Sequence, residues 1–175
     1  TYEPLLIEAT SPEVTLIHAG RSSQDMLSTV RMAIDRDEAL AFACAFDAVL
    51  EKLVDLAEVH RDTIVPNYTH GVAAQPNSYG HYLLGFIHAF LRERERLDQC
   101  LARYDRSSMG ATVLNGTGWP LKVERMAELL GFSRTFTNAF DAGQCAGNAL
   151  PLEMSQIATA AMLHVNAFLA DFMRS

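Results

Sequence analysis

Residues 22–60 read SSQDMLSTVRMAIDRDEALAFACAFDAVLEKLVDLAEVH, and this stretch decides the fold class. Its apolar residues, from Leu27 to Ala57, recur at spacings of mostly three and four, which is the period of an α-helix. Ser22 or Ser23 can cap the start of this helix. Globular helices usually run ~8–20 residues, so a helix of this length predicts an extended bundle.

The same periodicity predicts further helices along the chain. A second long helix spans residues 78–104, and the alternating charges of residues 92–96 are expected to face water. A short helix over residues 121–130 ends at Gly131, a residue type common just after a helix end. A third long helix starts near Leu150 or Pro151 and continues to the terminus.

The segments between these helices show no strand signal. Residues 61–78 are rich in Pro, Asn, Gly and Ser and are expected to form a polar loop. No stretch combines sustained alternation with β-branched enrichment, so no sheet is predicted. The sequence therefore predicts an all-α fold, a bundle of long helices. We expect one helical-bundle domain over residues 1–175, with residues 1–21 as its N-terminal lead-in.

Composition excludes several classes of protein. The 175 residues are 49% hydrophobic and 20% charged, which is typical of a globular protein and excludes a disordered chain. The net charge of -7 argues against a nucleic-acid partner. No apolar run approaches the ~20 residues of a membrane span, so no membrane partner is expected either. Cys44, Cys100 and Cys145 are far apart, which suggests neither a disulfide framework nor a metal site and favours a reducing cytoplasm.

The last helix predicts association with other chains. It is apolar around nearly its whole circumference, and such a helix needs neighbours on several sides. A monomeric bundle with a generous core is the alternative.

Two polar segments are candidate sites. Residues 18–25 (HAGRSSQD) run into the first long helix, where hydroxyls and backbone N–H groups favour an anion such as a carboxylate. The alternative is a serine cap beside a solvent-facing Arg21. In residues 67–71 (NYTHG), His70 can act as an acid or base near neutral pH, or it can be a structural histidine. The glycine-rich residues 110–118 follow a helix and lack a P-loop lysine, so a nucleotide site is rejected.

In chain order, these segments resemble the fumarase/aspartase superfamily and, within it, the argininosuccinate lyases. Residues 18–25 resemble that family's His-Thr-Gly-Arg-Ser-Arg-Asn-Asp signature. Residues 68–84, with Tyr-Thr-His, Ala-Gln-Pro and Gly-His-Tyr-Leu-Leu, are similar to its second signature. Residues 115–132 and 138–142 resemble its Ala-Gly-Thr…Pro-Ile, Glu-Leu-Leu-Gly-Phe and Asn-Ser-x-Asp-Ala segments. The similarity covers nearly the whole chain.

The resemblance implies a bundle of long helices that assembles as a homotetramer, with active sites built from several subunits. It implies reversible anti β-elimination that releases fumarate from an N-succinyl, dicarboxylate-type substrate, with no metal and no organic cofactor. It implies a catalytic role for Thr69 and His70, His70 being the acid/base histidine or its helper. The substrate-binding residues that it implies are Arg21, Ser22, Ser23, Gln24 and Gln75, with Ser22 bonding a carboxylate.

Several departures from the family pattern leave the substrate open. Ser23 stands where the signature has a second Arg, and Gln24 stands where it has an Asn. Gly71-Val72 replaces Leu-Gln, and residues 143–146 replace a charged Ser-Asp-Arg-Asp segment. The family's third signature, which carries the catalytic serine, is absent.

We therefore expect residues 1–175 to be the central portion of a longer lyase and to be inactive alone. Two alternatives stay open. One is another lyase or a cycloisomerase of the superfamily, and the other is a non-catalytic helical scaffold.

Overall fold

A computed structural model describes residues 2–173 of the chain. Three long helices dominate it: α2 (Ser23–Val59), α3 (Tyr79–Tyr104) and α5 (Ala146–Phe172). Shorter elements are α1 (Glu3–Ala9), the 3-10 helix Pro12–His18 and α4 (Val123–Leu129). The all-α bundle predicted from periodicity is confirmed, and the bounds of α2 and α3 agree with the predicted ones to within a residue.

The polar loop predicted for residues 61–78 is wrong, because this segment forms an antiparallel hairpin. Strand β1 (Ile64–Thr69) pairs with β2 (Val72–Ser78), and Pro66 lies opposite Pro76. The pairing register shifts between Asn67 and Tyr68, as at a β-bulge. The prolines and polar residues masked the alternation by which strands are recognised. A second, parallel pair joins β3 (Arg106–Ser107) to β4 (Arg134–Thr135).

The start of the last long helix also differs from the prediction. A π-helical turn, Asp141–Cys145, leads directly into α5, so the helix begins before Pro151 and encloses it. Proline has no N–H group, so Pro151 cannot donate a helical hydrogen bond. Because proline fixes φ near the helical value, the helix nevertheless continues through it. The predicted end of α4 is confirmed, since Gly131 follows it with a φ of 74°. Arg174 and Ser175, which the prediction included in α5, lie outside the described residues.

The contacts divide the chain into two compact units. Unit 1 comprises residues 1–36 and 103–151, and unit 2 comprises residues 37–102 and 152–175. The single domain expected over residues 1–175 stays a prediction. None of the helices within residues 2–173 has an apolar stretch long enough to cross a bilayer.

Unit 2 is built around an apolar cluster from its three helical segments. Leu83 and Ile87 of α3 pack with Phe46 and Leu50 of α2 and with Ala161 of α5. Leu83 is 0% exposed. The prediction that the charged residues of α3 face water is only partly right. Glu93 is buried and accepts a 2.6 Å hydrogen bond from Arg96. Burial of the cluster against α2 and α5 orients α3, which begins where the hairpin ends.

Unit 1 is tied together by Asp105 and Arg36. Asp105 accepts hydrogen bonds from the backbone amide of Ser133 at 3.0 Å and from its hydroxyl, and Arg36 lies 3.3 Å away. Arg36 also donates to the Gly131 carbonyl at 2.7 Å and stacks over the Phe132 ring, 4.5 Å from its centroid. These contacts connect α2 to the turn after α4.

Acid should weaken unit 1 through Asp105. Burial alone would raise the pKa of this carboxyl group, but the hydrogen bonds from Ser133 and the nearby Arg36 outweigh it, so the pKa is lowered. A carboxyl group with a lowered folded-state pKa stabilises the fold above its unfolded pKa of ~3.9 and loses that effect as pH falls through the folded value. At pH 7, Asp105→Asn should therefore lower the free energy of unfolding by about 1 kcal/mol.

Urea denaturation across pH tests this expectation. The difference between wild type and Asp105→Asn should shrink as pH falls below about 4. A difference that stays constant down to pH 2 would contradict the assigned role of the carboxylate.

Candidate active site

The start of α2 in unit 1 is closed by a reciprocal capping arrangement. The backbone amide of Gln24 donates to the Ser22 hydroxyl oxygen at 3.1 Å. The backbone amide of Ser22 donates to Asp25 Oδ1 at 3.2 Å. Ser22 thus caps the helix through the amide of its second residue, and Asp25 reaches back to the Ser22 amide as the acidic member of a capping box does. Because the Ser22 hydroxyl oxygen accepts in the cap, its proton remains available to a second acceptor. The site therefore offers a hydroxyl donor at the positive end of a helix dipole.

Asp25 is the residue of this site whose role sequence reasoning missed. Its side chain is fully buried, and its Oδ2 atom accepts hydrogen bonds from the backbone amides of Gly110 at 3.0 Å and Thr112 at 3.1 Å. These donors lie more than 80 residues away along the chain. The glycine-rich loop rejected as a nucleotide site thus lies against the start of α2. Asp25 already stood in the signature-like residues 18–25, but the sequence did not show that its carboxylate pairs with the amides of the glycine-rich loop.

Gln24 extends from the same helix turn toward the π-helical turn. Its side-chain Nε2 lies 3.4 Å from the Gly143 carbonyl oxygen and 3.5 Å from the Ser28 hydroxyl. Both distances are at the long end for hydrogen bonds, so either amide hydrogen can turn to another acceptor. Two departures from the family pattern, Gln24 and Gly143, therefore contact each other.

Arg21 and Ser23 flank the cap differently. The Arg21 guanidinium lies against two thioethers, 3.3 Å from Met109 Sδ and 3.9 Å from Met126 Sδ. Ser23 is the first residue of α2 and is exposed. Arg21, Ser22, Ser23 and Gln24 thus share one helix start in unit 1.

Thr69, His70 and Gln75 lie on the hairpin of unit 2. His70 and Gly71 form its two-residue turn, with φ values of 51° and 77°. Two successive positive φ values are the mark of a type I′ turn, and His is among the residues that tolerate this region. All three side chains are exposed, so the turn presents the imidazole at the hairpin tip. A concave pocket with a volume of about 410 Å³ lies along both strands, and Gln75 is among its lining residues.

Within residues 2–173, no cluster of three or more His, Cys, Asp or Glu side chains is arranged to hold a metal ion.

Comparisons with known proteins show the family to which the chain belongs. A profile of the lyase family matches residues 7–173, so the chain belongs to that family. The similarity to argininosuccinate lyases is confirmed. The argininosuccinate lyase of Carboxydothermus hydrogenoformans is 37% identical over 166 residues, which cover 95% of this chain and 36% of that protein.

Other relatives and solved structures give the same result. The argininosuccinate lyase of Methylibium petroleiphilum is 38% identical over 151 residues, covering 86% of this chain and 32% of that protein. The crystal structure of EDDS lyase in complex with formate superposes with a TM-score of 0.91 at 27% identity, covering 98% of this chain and 34% of that one. A variant of EDDS lyase with bound fumarate gives the same values. The chain spans about a third of the length of these relatives.

Proposed function

We propose that this chain is part of a carbon–nitrogen lyase of the argininosuccinate lyase type, which releases fumarate from an N-succinyl substrate by anti β-elimination. The observation that carries the proposal is the capped start of α2. There, the Ser22 hydroxyl lies at the positive end of a helix dipole, which suits a substrate carboxylate. The 37% identity to an argininosuccinate lyase supports the same reaction.

The elimination needs a base for the proton beside a carboxylate, donors for the dianion that forms, and an acid for the leaving nitrogen. We assign a carboxylate-binding role to Ser22, with Arg21, Ser23, Gln24 and Gln75 as further substrate contacts. Thr69 and His70 are assigned to the catalytic machinery, His70 moving a proton or assisting the group that does. No step in this assignment uses a metal or an organic cofactor.

Turnover by the full-length protein tests the proposal. Argininosuccinate should give fumarate, seen as rising absorbance at 240 nm. The protein encoded by the natural gene should have a mass of ~50 kDa. A tetrameric full-length protein that neither forms nor binds fumarate would overturn the assignment in favour of a non-catalytic scaffold.

A second candidate is a lyase of the same superfamily with a different amine product. The Gln24–Gly143 contact favours it, because both residues depart from the argininosuccinate lyase pattern and meet at one place. The structural likeness to EDDS lyase supports it as well. A panel of N-succinyl compounds, EDDS and aspartate, run beside argininosuccinate, separates the two candidates by their kcat/KM values.

Gln24→Asn should tighten the binding of fumarate. Asn is one methylene shorter and matches the family pattern, so its amide would no longer reach the Gly143 carbonyl and could donate to the carboxylate. We expect the inhibition constant for fumarate to fall by roughly tenfold, the scale of one hydrogen bond to a charged group. Glu38→Gln, an exposed change farther along α2, is the control. An unchanged inhibition constant in Gln24→Asn would place this side chain away from the carboxylate.

We also propose that the protein acts as a homotetramer in the cytoplasm. On α5, large apolar side chains remain exposed in the single chain, among them Leu152 at 60%, Met162 at 58% and Leu163 at 64%. Their burial between copies would contribute about 25 cal/mol for each Å² of apolar surface. Light scattering on the full-length protein measures the assembly directly, and a monomer would contradict it.

A further inference from the structure

Asp25 connects two segments that are distant along the chain. One oxygen of its carboxylate accepts the Ser22 amide at 3.2 Å, and the other accepts the amides of Gly110 and Thr112 at 3.0 and 3.1 Å. The side chain is 0% exposed, so no water competes for these bonds. A buried carboxylate that is fully used by backbone donors is a fixed reference point, because moving any donor would leave a buried charge unsatisfied.

Thr112 shows that this carboxylate constrains the loop. Its φ is 56°, which is unfavourable for a β-branched residue and persists only when the surroundings hold it. Two bonds hold it here: its amide donates to Asp25, and its hydroxyl donates to the Gly116 carbonyl at 2.9 Å. The strained conformation is therefore maintained from the start of α2.

The loop in turn packs against the π-helical turn. Gln144 Nε2 donates to the Val113 carbonyl oxygen at 3.3 Å. A Cβ on Gly143 would lie only 2.8 Å from the same oxygen, so this approach requires glycine. Gly143 then contacts Gln24, which precedes Asp25. The contacts form a closed ring that begins and ends at the start of α2.

We propose that Asp25 is a positioning residue for substrate binding: it holds the Ser22 backbone and the loop from Gly110 to Thr112 at one fixed separation, so that the Ser22 hydroxyl meets the substrate carboxylate. Asp25 acts through Ser22 and touches no substrate. This inference rests on the proposed function, because it takes Ser22 as a carboxylate contact.

Asp25→Asn in the full-length protein tests the inference. Asn keeps the shape but replaces one accepting oxygen by an NH₂ group that faces backbone donors. We expect the KM for argininosuccinate and the inhibition constant for fumarate to rise at least tenfold, while kcat falls less. Loss of stability alone would leave the KM of the folded fraction unchanged.

Asp105→Asn is the matched control. Asp105 lies in the same unit and also accepts a backbone amide, that of Ser133 at 3.0 Å, and its other hydrogen-bond partners are the Ser133 hydroxyl and Arg36. It should lower the melting temperature without changing KM or the inhibition constant. Equal KM values in Asp25→Asn and wild type would overturn the positioning role, as would equal KM increases in both variants.

Hydrogen–deuterium exchange of the wild-type protein supplies a test that needs no variant. Fumarate should slow exchange in peptides covering residues 20–26 and 108–114 together, because Asp25 joins their amides. If fumarate binds and the second peptide does not respond, the positioning role is wrong even though the proposed function stands. If wild type neither turns over argininosuccinate nor binds fumarate, the proposed function fails and the positioning role fails with it.

Discussion

Replacing His70 by Asn in the full-length protein should lower kcat by about 10²–10⁴-fold, the range for loss of a positioned general acid or base. The expectation follows from the role proposed for His70, whose imidazole is exposed at the tip of the hairpin, beside Thr69. Imidazole is the side chain best suited, as a residue type, to give and take a proton near neutral pH. Asn can hydrogen-bond in the same place but cannot exchange a proton at that pH.

The turn geometry makes this substitution a clean test of chemistry. His70 has a φ of 51° and is followed by Gly71 at 77°. Asn-Gly is the pair that most favours a type I′ turn, so His70→Asn should preserve or strengthen the hairpin. Lost activity then cannot be attributed to an unfolded turn.

His88→Asn is the matched control for this prediction. His88 is an exposed histidine on α3, where His and Asn have similar helix propensities. Its substitution should therefore leave kcat unchanged within a factor of two. Steady-state kinetics at saturating argininosuccinate provides the measurement. A loss below tenfold in His70→Asn would reassign His70 to a structural role.

Gly80→Ala should destabilise unit 2 by about 3 kcal/mol, the upper part of the range for overpacking a close contact. A Cβ at this position would lie 2.6 Å from the Ala57 carbonyl oxygen and 2.9 Å from the Arg61 Cα atom. Both neighbours are backbone atoms and cannot rotate away. The Gly80 amide also donates to the His60 carbonyl at 3.0 Å, so a shift of α3 would break this bond.

Gly85→Ala, on the same helix, should have the opposite effect on the free energy of unfolding. A Cβ there meets nothing within 4 Å, so the helix gains the propensity of Ala and should become more stable by roughly 0.5–1 kcal/mol. Urea denaturation of both variants measures the contrast. Similar free energies of unfolding for the two variants would show that α2 and α3 can separate without cost.

Gly80→Ala should also reduce activity more than its stability loss explains. Strand β2 ends at Ser78, immediately before α3 begins at Tyr79, so displacement of the helix start moves the hairpin that carries His70. We expect kcat/KM of the folded protein to fall, while Gly85→Ala leaves it unchanged.

The long helices follow from the sequence because their signal is local and repeated. Many apolar residues at spacings of three and four predict α2 and α3 without reference to any distant contact. The hairpin depends on fewer residues. Its turn needs only two residues of positive φ, and Pro66 and Pro76 concealed the strands on either side. Two-residue turns ending in Gly and flanked by β-branched residues are the signal that could have found it.

The candidate site divides in the same way. Ser22, Gln24 and His70 could be chosen from the sequence because they stand in segments that resemble known signatures. The role of Asp25 could not, because its partners Gly110 and Thr112 are distant in sequence and only chain folding brings their amides to its carboxylate.

The sequence by itself determined the class of fold, the family and the residue types offered for chemistry, since these depend on local periodicity and on the order of short motifs. The tertiary structure alone decided which backbone amides surround Asp25, why Gly80 and Gly143 must lack a side chain, and that His70 occupies a type I′ turn. The physical reason is that hydrogen-bond partners and close backbone approaches are set by atoms far apart in the chain, whereas helix formation is set by neighbours.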